Sequence, residues 1–243
     1  MNIIMVGCEF AGKTTLADEI TNWSEENLGG SSHFHDHFTI PSSELSPEAG
    51  ASYKAAHPQV KEMFQRFMIS YHMSAGFYSS SNHNLMGFHI EEAVYAPLYY
   101  GYGGPDTATP LRSPEGQRTK AARRAEEEIL KMAPHTVLVL VKATPEVIGA
   151  RMAADTHPDP NTLARQKKSK PFGEPTRGVV QEKDVELVLA RFEEEFEASL
   201  FKNKIVLDTT SASVEETLAE FVDGVKPFLS DADKALLRKH GDA

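Results

Sequence analysis

MNIIMVGCEFAGKTT, residues 1–15, carries four apolar residues, Ile3 to Val6, straight into Gly7, four further residues, and then Gly12-Lys13-Thr14. The run reads as a strand buried on both faces, and the spacing after it has a mechanical reason. Glycines at both ends let a loop bend around an anion with successive backbone N–H groups turned inward, and the following helix aims the positive end of its dipole at the same point. In such a phosphate-binding loop the lysine reaches the β and γ phosphates of a nucleotide and the hydroxyl of the next residue ligates Mg2+. Gly7, Cys8, Glu9, Phe10, Ala11, Gly12, Lys13, Thr14 and Thr15 are therefore the candidate nucleotide-binding residues, with Thr14 a metal ligand. Leu16, Ala17, Ile20 and Trp23 follow at helical spacing, which supplies the strand–loop–helix context the motif needs. Cys8 reads as a small filler that contributes its backbone N–H.

Composition narrows the classes. At 243 residues the chain suits one α/β domain with a core large enough to need no disulfide, and its single cysteine fits a reducing compartment. No basic and apolar leader precedes the first strand, and no apolar run approaches the ~20 residues of a membrane helix, so a cytoplasmic protein without a membrane partner is expected. A formal net charge of −10 opposes a stable nucleic-acid complex.

Beyond this start, apolar strands alternate with helical patterns. Ser32 to Thr39 reads as a second strand and Leu85 to Ile90 as a third; Thr136 to Lys142 and Ile205 to Leu207 are the next two. Between the second and third, Tyr53 to Phe77 reads as a long helical region in which Val60, Met63, Phe64, Phe67, Met68 and Tyr71 recur at three and four, the spacing of a core face. Further helices are expected from Ser113 to Met132, from Pro145 through Arg151, from Glu182 to Leu200 and from Val214 to Phe228. Five strands with intervening helices imply an α/β fold, a five-stranded parallel sheet with helices on both faces, and ligands at the carboxyl ends of the strands. Gly7 to Thr14, Asp36 and Glu91 all fall there.

The segment Glu91-Glu-Ala-Val-Tyr-Ala-Pro-Leu-Tyr99 resembles the E-R-S-V-Y-S-x-R-Y segment of deoxynucleoside kinases and, more loosely, the D-R-Y segment of thymidylate kinases; Glu91, Val94, Tyr95 and Tyr99 match. VLVLVKATPEVIGARM and IVLDTTSASVEETLAEF are similar to the fourth strand with its lid-entry helix and to the last strand and helix of the same P-loop kinases. The resemblance implies a P-loop NTPase fold over residues 1–243, with an acceptor-binding helical region at about 41–80 and a lid at about 151–181. It implies ATP and Mg2+ as cofactors, a nucleoside-like small-molecule acceptor, and a homodimer as one possible assembly. Asp36 takes the place of the catalytic carboxylate that accepts the proton of the attacking hydroxyl, and Glu91 that of an acid holding Mg2+. MFQRFM resembles the family's FQ helix, so Gln65 is expected to meet a nucleobase edge, with Tyr95 beside the acceptor. Arg151, Arg165, Lys167, Lys168, Lys170 and Arg177 would close over the phosphates.

Two departures stand out. The family's arginine after the glutamate is Glu92, and its Glu-Pro pair after the second strand is Asp36-His37. A carboxylate at position 92 would repel a monophosphate, which favours a neutral acceptor hydroxyl; a nucleoside monophosphate kinase, a kinase for another alcohol or modified base, and a nucleotide-binding regulatory module are the alternative readings. His33, His35 and His37 alternate along the second strand and raise a metal site as a further alternative.

Overall fold

The computed structural model describes residues 1–29, 33–36, 46–78, 83–103, 118–154 and 179–241. Five parallel strands, β1 (Ile3–Val6), β2 (His33–Asp36), β3 (His83–Met86), β4 (Val137–Lys142) and β5 (Asn203–Asp208), form one sheet in the order β2-β3-β1-β4-β5. The central strand β1 pairs Ile3 with Asn84 on one side and with Val137 on the other. Because successive side chains point to opposite faces, Ile4, Val6, Leu85, Leu138 and Leu140 enter one core and Ile3, Met5, Val137, Val139 and Val141 the other. This is why the inner strands are continuously apolar.

The first core is closed by α5 (Phe88–Tyr95), α6 (Arg118–Met132) and α8 (Val185–Ala198), the second by α1 (Lys13–Leu28) and α9 (Val214–Val225). Between β2 and β3 lie α2 (Pro47–Ala55), α3 (Pro58–His72) and the single turn α4 (Ala75–Tyr78); α7 (Pro145–Ala154) follows β4, and α10 (Asp231–Gly241) ends the described chain. Among the described residues no helix is long and apolar enough to cross a membrane.

Two expectations are corrected. The strand anticipated at Leu85–Ile90 stops at Met86, where Gly87 turns the chain into α5. The residues on both sides of that turn are buried, and a short apolar run does not separate a buried strand from a buried helix. The second correction concerns α3. Val60, Met63, Phe67 and Tyr71, expected in the core, are exposed, while Lys61, Glu62, Gln65, Ile69 and His72 are buried. The three–four spacing marks a stripe without saying which way it turns. Here the polar side of the helix finds partners inside, so the helix sits inverted against the sheet.

Candidate active site

The loop after β1 can pass β4 only because residue 7 is glycine: with φ at +147°, a Cβ there would lie 2.1 Å from the Val141 carbonyl oxygen. Gly12 caps α1 with φ at +94° and no side chain closes that end of the helix, so its N–H groups face outward as an anion seat. Lys13 is nearly buried; its ammonium donates to the carbonyls of Gly7 at 2.6 Å and Cys8 at 3.0 Å. Thr14 and Thr15 are exposed at the mouth. Burial pushes the Cys8 thiol up to about 12, with the Lys13 charge opposing, so Cys8 is a neutral filler.

Glu91 stands in the first turn of α5, 3.8 Å from the Lys13 ammonium. Its place depends on Gly87, whose φ is +78° and whose missing Cβ would lie 2.0 Å from Glu91 Oε2. The Gly87 N–H donates to the Met5 carbonyl at 2.8 Å, which pins the turn to β1 beside the loop. Thr14 and Glu91 are oxygen donors and fit a hard cation that takes one or two protein groups and completes its shell with phosphate and water.

Tyr95 lies elsewhere than expected. It is 1% exposed and its hydroxyl accepts the Glu9 N–H at 3.2 Å, so it supports the loop from behind instead of facing an acceptor. Arg151 on α7 also grips the loop: its guanidinium donates to Phe10 O and Thr209 Oγ1, both at 3.0 Å, and to Thr209 O at 2.8 Å. Thr209 in turn donates to Ala11 O at 2.8 Å. On the other flank the Glu9 carboxylate accepts the N–H groups of Val179 at 3.0 Å and Val180 at 2.9 Å. Glu9 and Phe10 thus hold the chain at both ends of the basic segment. The bases Arg165, Lys167, Lys168, Lys170 and Arg177 lie outside the described residues.

Asp36 closes β2 in register with Met86, on the same carboxyl edge as Glu91 and one strand further from the loop. Its side chain lies outside the described residues, as do that of His33 and all of His37. His35 packs its ring against those of His72 at 6.3 Å and His83 at 6.0 Å. Among the described residues no group of three or more metal-binding side chains occurs.

The buried face of α3 looks onto this edge. Gln65 donates to the Tyr53 hydroxyl at 3.3 Å, and Tyr53 donates to Lys61 O at 3.1 Å. The Gln65 carbonyl oxygen is buried with no hydrogen-bond partner among the described residues. Glu92 does not meet the expectation of a bare repelling charge. It is 1% exposed, ion-paired with Arg118 and hydrogen-bonded by the Tyr102 hydroxyl at 3.0 Å; Arg118 also lies 3.6 Å from Glu62. Burial raises the Glu92 carboxyl above its ordinary range, and Arg118 followed by Tyr102 opposes the shift. Nothing in the sequence marks Arg118, which opens α6 with its N–H on Gly103 O at 3.0 Å.

No family model and no curated protein matches the chain by sequence. Solved structures do match by shape. The YorR protein from Bacillus subtilis, in complex with phosphorylated GDP, aligns at 13% identity and a TM-score of 0.52, covering 95% of this chain and 99% of its own. A deoxyadenosine kinase from M. mycoides with bound dATP aligns at 14% identity and 0.53, covering 93% and 100%. A thymidylate kinase from Candida albicans gives 11% identity and 0.46. The five-stranded parallel sheet with the loop at its carboxyl edge is an α/β P-loop NTPase fold.

Proposed function

We propose that the protein is an ATP-dependent kinase that transfers a phosphoryl group to a hydroxyl of a small, nucleoside-like acceptor. The observation that carries this reading is the nearly buried pair of Lys13 and Glu91 at the N-terminus of α1, which no side chain caps. Lys13 and the loop N–H groups bind the β and γ phosphates and stabilise the charge that develops during transfer. Thr14 and Glu91 hold Mg2+, which supplies charge neutralisation on the phosphate oxygens when bound. Asp36 accepts the proton of the attacking hydroxyl, and Gln65, oriented by Tyr53, receives a nucleobase edge through its free carbonyl. Arg151 fixes the loop from outside and Arg165 with its neighbouring bases covers the phosphates, excluding the water that would otherwise compete as acceptor.

The likeness of this fold to a deoxyadenosine kinase with bound dATP supports a nucleoside-like acceptor. The ion pair of Glu92 with Arg118 removes the charge argument against a monophosphate, so both acceptor classes belong in the test. The purified protein is incubated with ATP, Mg2+ and a panel of nucleosides, deoxynucleosides and their monophosphates, and products are read by mass spectrometry. A product heavier by one phosphoryl group, absent with Lys13→Ala, is expected. Hydrolysis of ATP at one rate with every acceptor, with no phosphorylated product, would refute the kinase reading and favour a nucleotide-binding regulatory module.

A further inference from the structure

Helix α5 presents two polar faces, and both are engaged. Glu91 and Tyr95, four residues apart, look toward the P-loop: Glu91 lies 3.8 Å from the Lys13 ammonium, and the Tyr95 hydroxyl accepts the Glu9 N–H at 3.2 Å. His89 and Glu92, three residues apart, look the other way onto α6. Glu92 is ion-paired with Arg118, and His89 Nε2 meets Glu126 Oε1 at 3.1 Å. The Glu126 carboxylate can only accept, which assigns the imidazole proton to Nε2. Glu126 is itself fixed from elsewhere, by the Leu200 N–H at 2.7 Å and Arg123 at 3.1 Å. The partners run antiparallel, residue 89 with 126 and residue 92 with 118, and Ala122, in the same row of α6 as Arg118 and Glu126, is buried and small enough to let the helices close. Ile90, Val94, Ala125 and Ile129, which the two helices place in the first core, are apolar and impose no direction.

We infer that His89, bonded to Glu126, is a positioning residue for the metal-binding edge of the P-loop: together with the Glu92–Arg118 pair it fixes the rotation of α5, and so the place of Glu91 against Lys13 and of the Tyr95 hydroxyl against Glu9. This inference rests on the proposed role of Glu91 as a Mg2+ ligand and adds to it a residue that touches neither metal nor substrate. His89 and Glu126 are 1% and 0% exposed, and apolar side chains of similar volume would hold two helices together without the desolvation that a buried imidazole and carboxylate require. Apolar contacts would not hold a rotation. The bond from the Gly87 N–H to Met5 O fixes where α5 begins, but an eight-residue helix tied at one end can still turn about its axis. Directed bonds at residues 89 and 92, on the side away from the loop, stop that turn. The precision matters because Mg2+ demands near-ideal octahedral geometry, and groups that orient a metal's ligands commonly change its affinity by about 10–100-fold when removed.

The test compares, in the full chain, His89→Leu, which fills the space without a donor, with His89→Gln, whose amide N–H reaches toward the same carboxylate. In phosphoryl transfer, His89→Leu should raise the Mg2+ concentration for half-maximal rate by about tenfold while the rate at saturating Mg2+ stays within about twofold of wild type. His89→Gln should bring the Mg2+ requirement back toward the wild-type value. In hydrogen exchange without nucleotide, His89→Leu should speed the Glu9 amide, held by Tyr95 at the other end of α5, by about tenfold and leave Val139 in the centre of the sheet unchanged. Phe221→Leu, in the core on the opposite face of the sheet, is the control for plain loss of stability: it should lower the melting temperature and leave the Mg2+ requirement as it was. A His89→Leu protein with a wild-type Mg2+ requirement or with wild-type exchange at Glu9 overturns the inference, as does a shift that Phe221→Leu reproduces or that His89→Gln fails to reverse. The exchange measurement needs no acceptor, so it decides the positioning even for a chain that transfers phosphate to nothing, an outcome that refutes the proposed function alone.

Discussion

Gly87 illustrates how one backbone position governs chemistry four residues away. Its φ of +78° is closed to most side chains, and a methyl group there would meet the Glu91 carboxylate. Gly87→Ala should therefore cost about 1–3 kcal/mol of stability and push Glu91 out of reach of Lys13. Denaturant titration measures the first effect, and a raised Mg2+ requirement for transfer measures the second. A variant with unchanged midpoint and unchanged Mg2+ dependence would show that Glu91 is not held by this turn. Lys13→Ala is expected to lower the transfer rate by about two orders of magnitude or more, because a group that clamps developing charge is lost from a position supported by the backbone. Near-normal turnover would overturn the assignment of the loop. Glu91 was legible as an acid near a strand end, but Gly87 carried its meaning only once its φ was known.

At the scale of elements, the P-loop and the segment entering α8 are joined by Glu9, whose carboxylate takes the N–H groups of Val179 and Val180. An amide in its place offers one acceptor oxygen for two donors. Glu9→Gln should accordingly raise hydrogen exchange at 179 and 180 by about tenfold, and exchange at wild-type rates would show that the clasp contributes nothing. Helices α5 and α6 and the loop after α8 share a second device. Glu126 is fully buried and meets His89 Nε2 at 3.1 Å, the Leu200 N–H at 2.7 Å and Arg123 at 3.1 Å. Burial pushes its carboxyl up, but His89, Leu200 and Arg123 outweigh that and hold it below the ordinary 4.5. A carboxylate depressed in the folded state contributes stability above its unfolded value and loses it as the pH falls through the folded one. The melting temperature should thus drop on acidification below about 4.5, and Glu126→Gln should flatten that drop. Thermal melts from pH 7 to pH 3 decide; equal slopes for both proteins would remove Glu126 from the acid response.

For the whole molecule, the strand–loop–helix start, the two-faced sheet and the run Val137–Lys142 were readable from the chain, because each depends on neighbours within a few residues: glycines that permit one loop geometry, and apolar runs that permit burial on both faces. The same locality placed Thr14, Lys13 and Arg151 on the right elements. It did not give Arg151 its partners on Phe10 and Thr209, nor Tyr95 its place behind the loop, since those contacts join residues far apart in sequence. Arg118 had no signal at all: an arginine opening a charged helix reads as solvated until Glu92 and Glu62 are found around it. The order β2-β3-β1-β4-β5 and the inverted seat of α3 likewise belong to the tertiary structure. Periodicity defines a stripe around a helix axis but is unchanged by rotation about it, so whether Phe67 or Gln65 faces inward is decided by the partners that Tyr53, Arg118 and the sheet edge offer to polar groups.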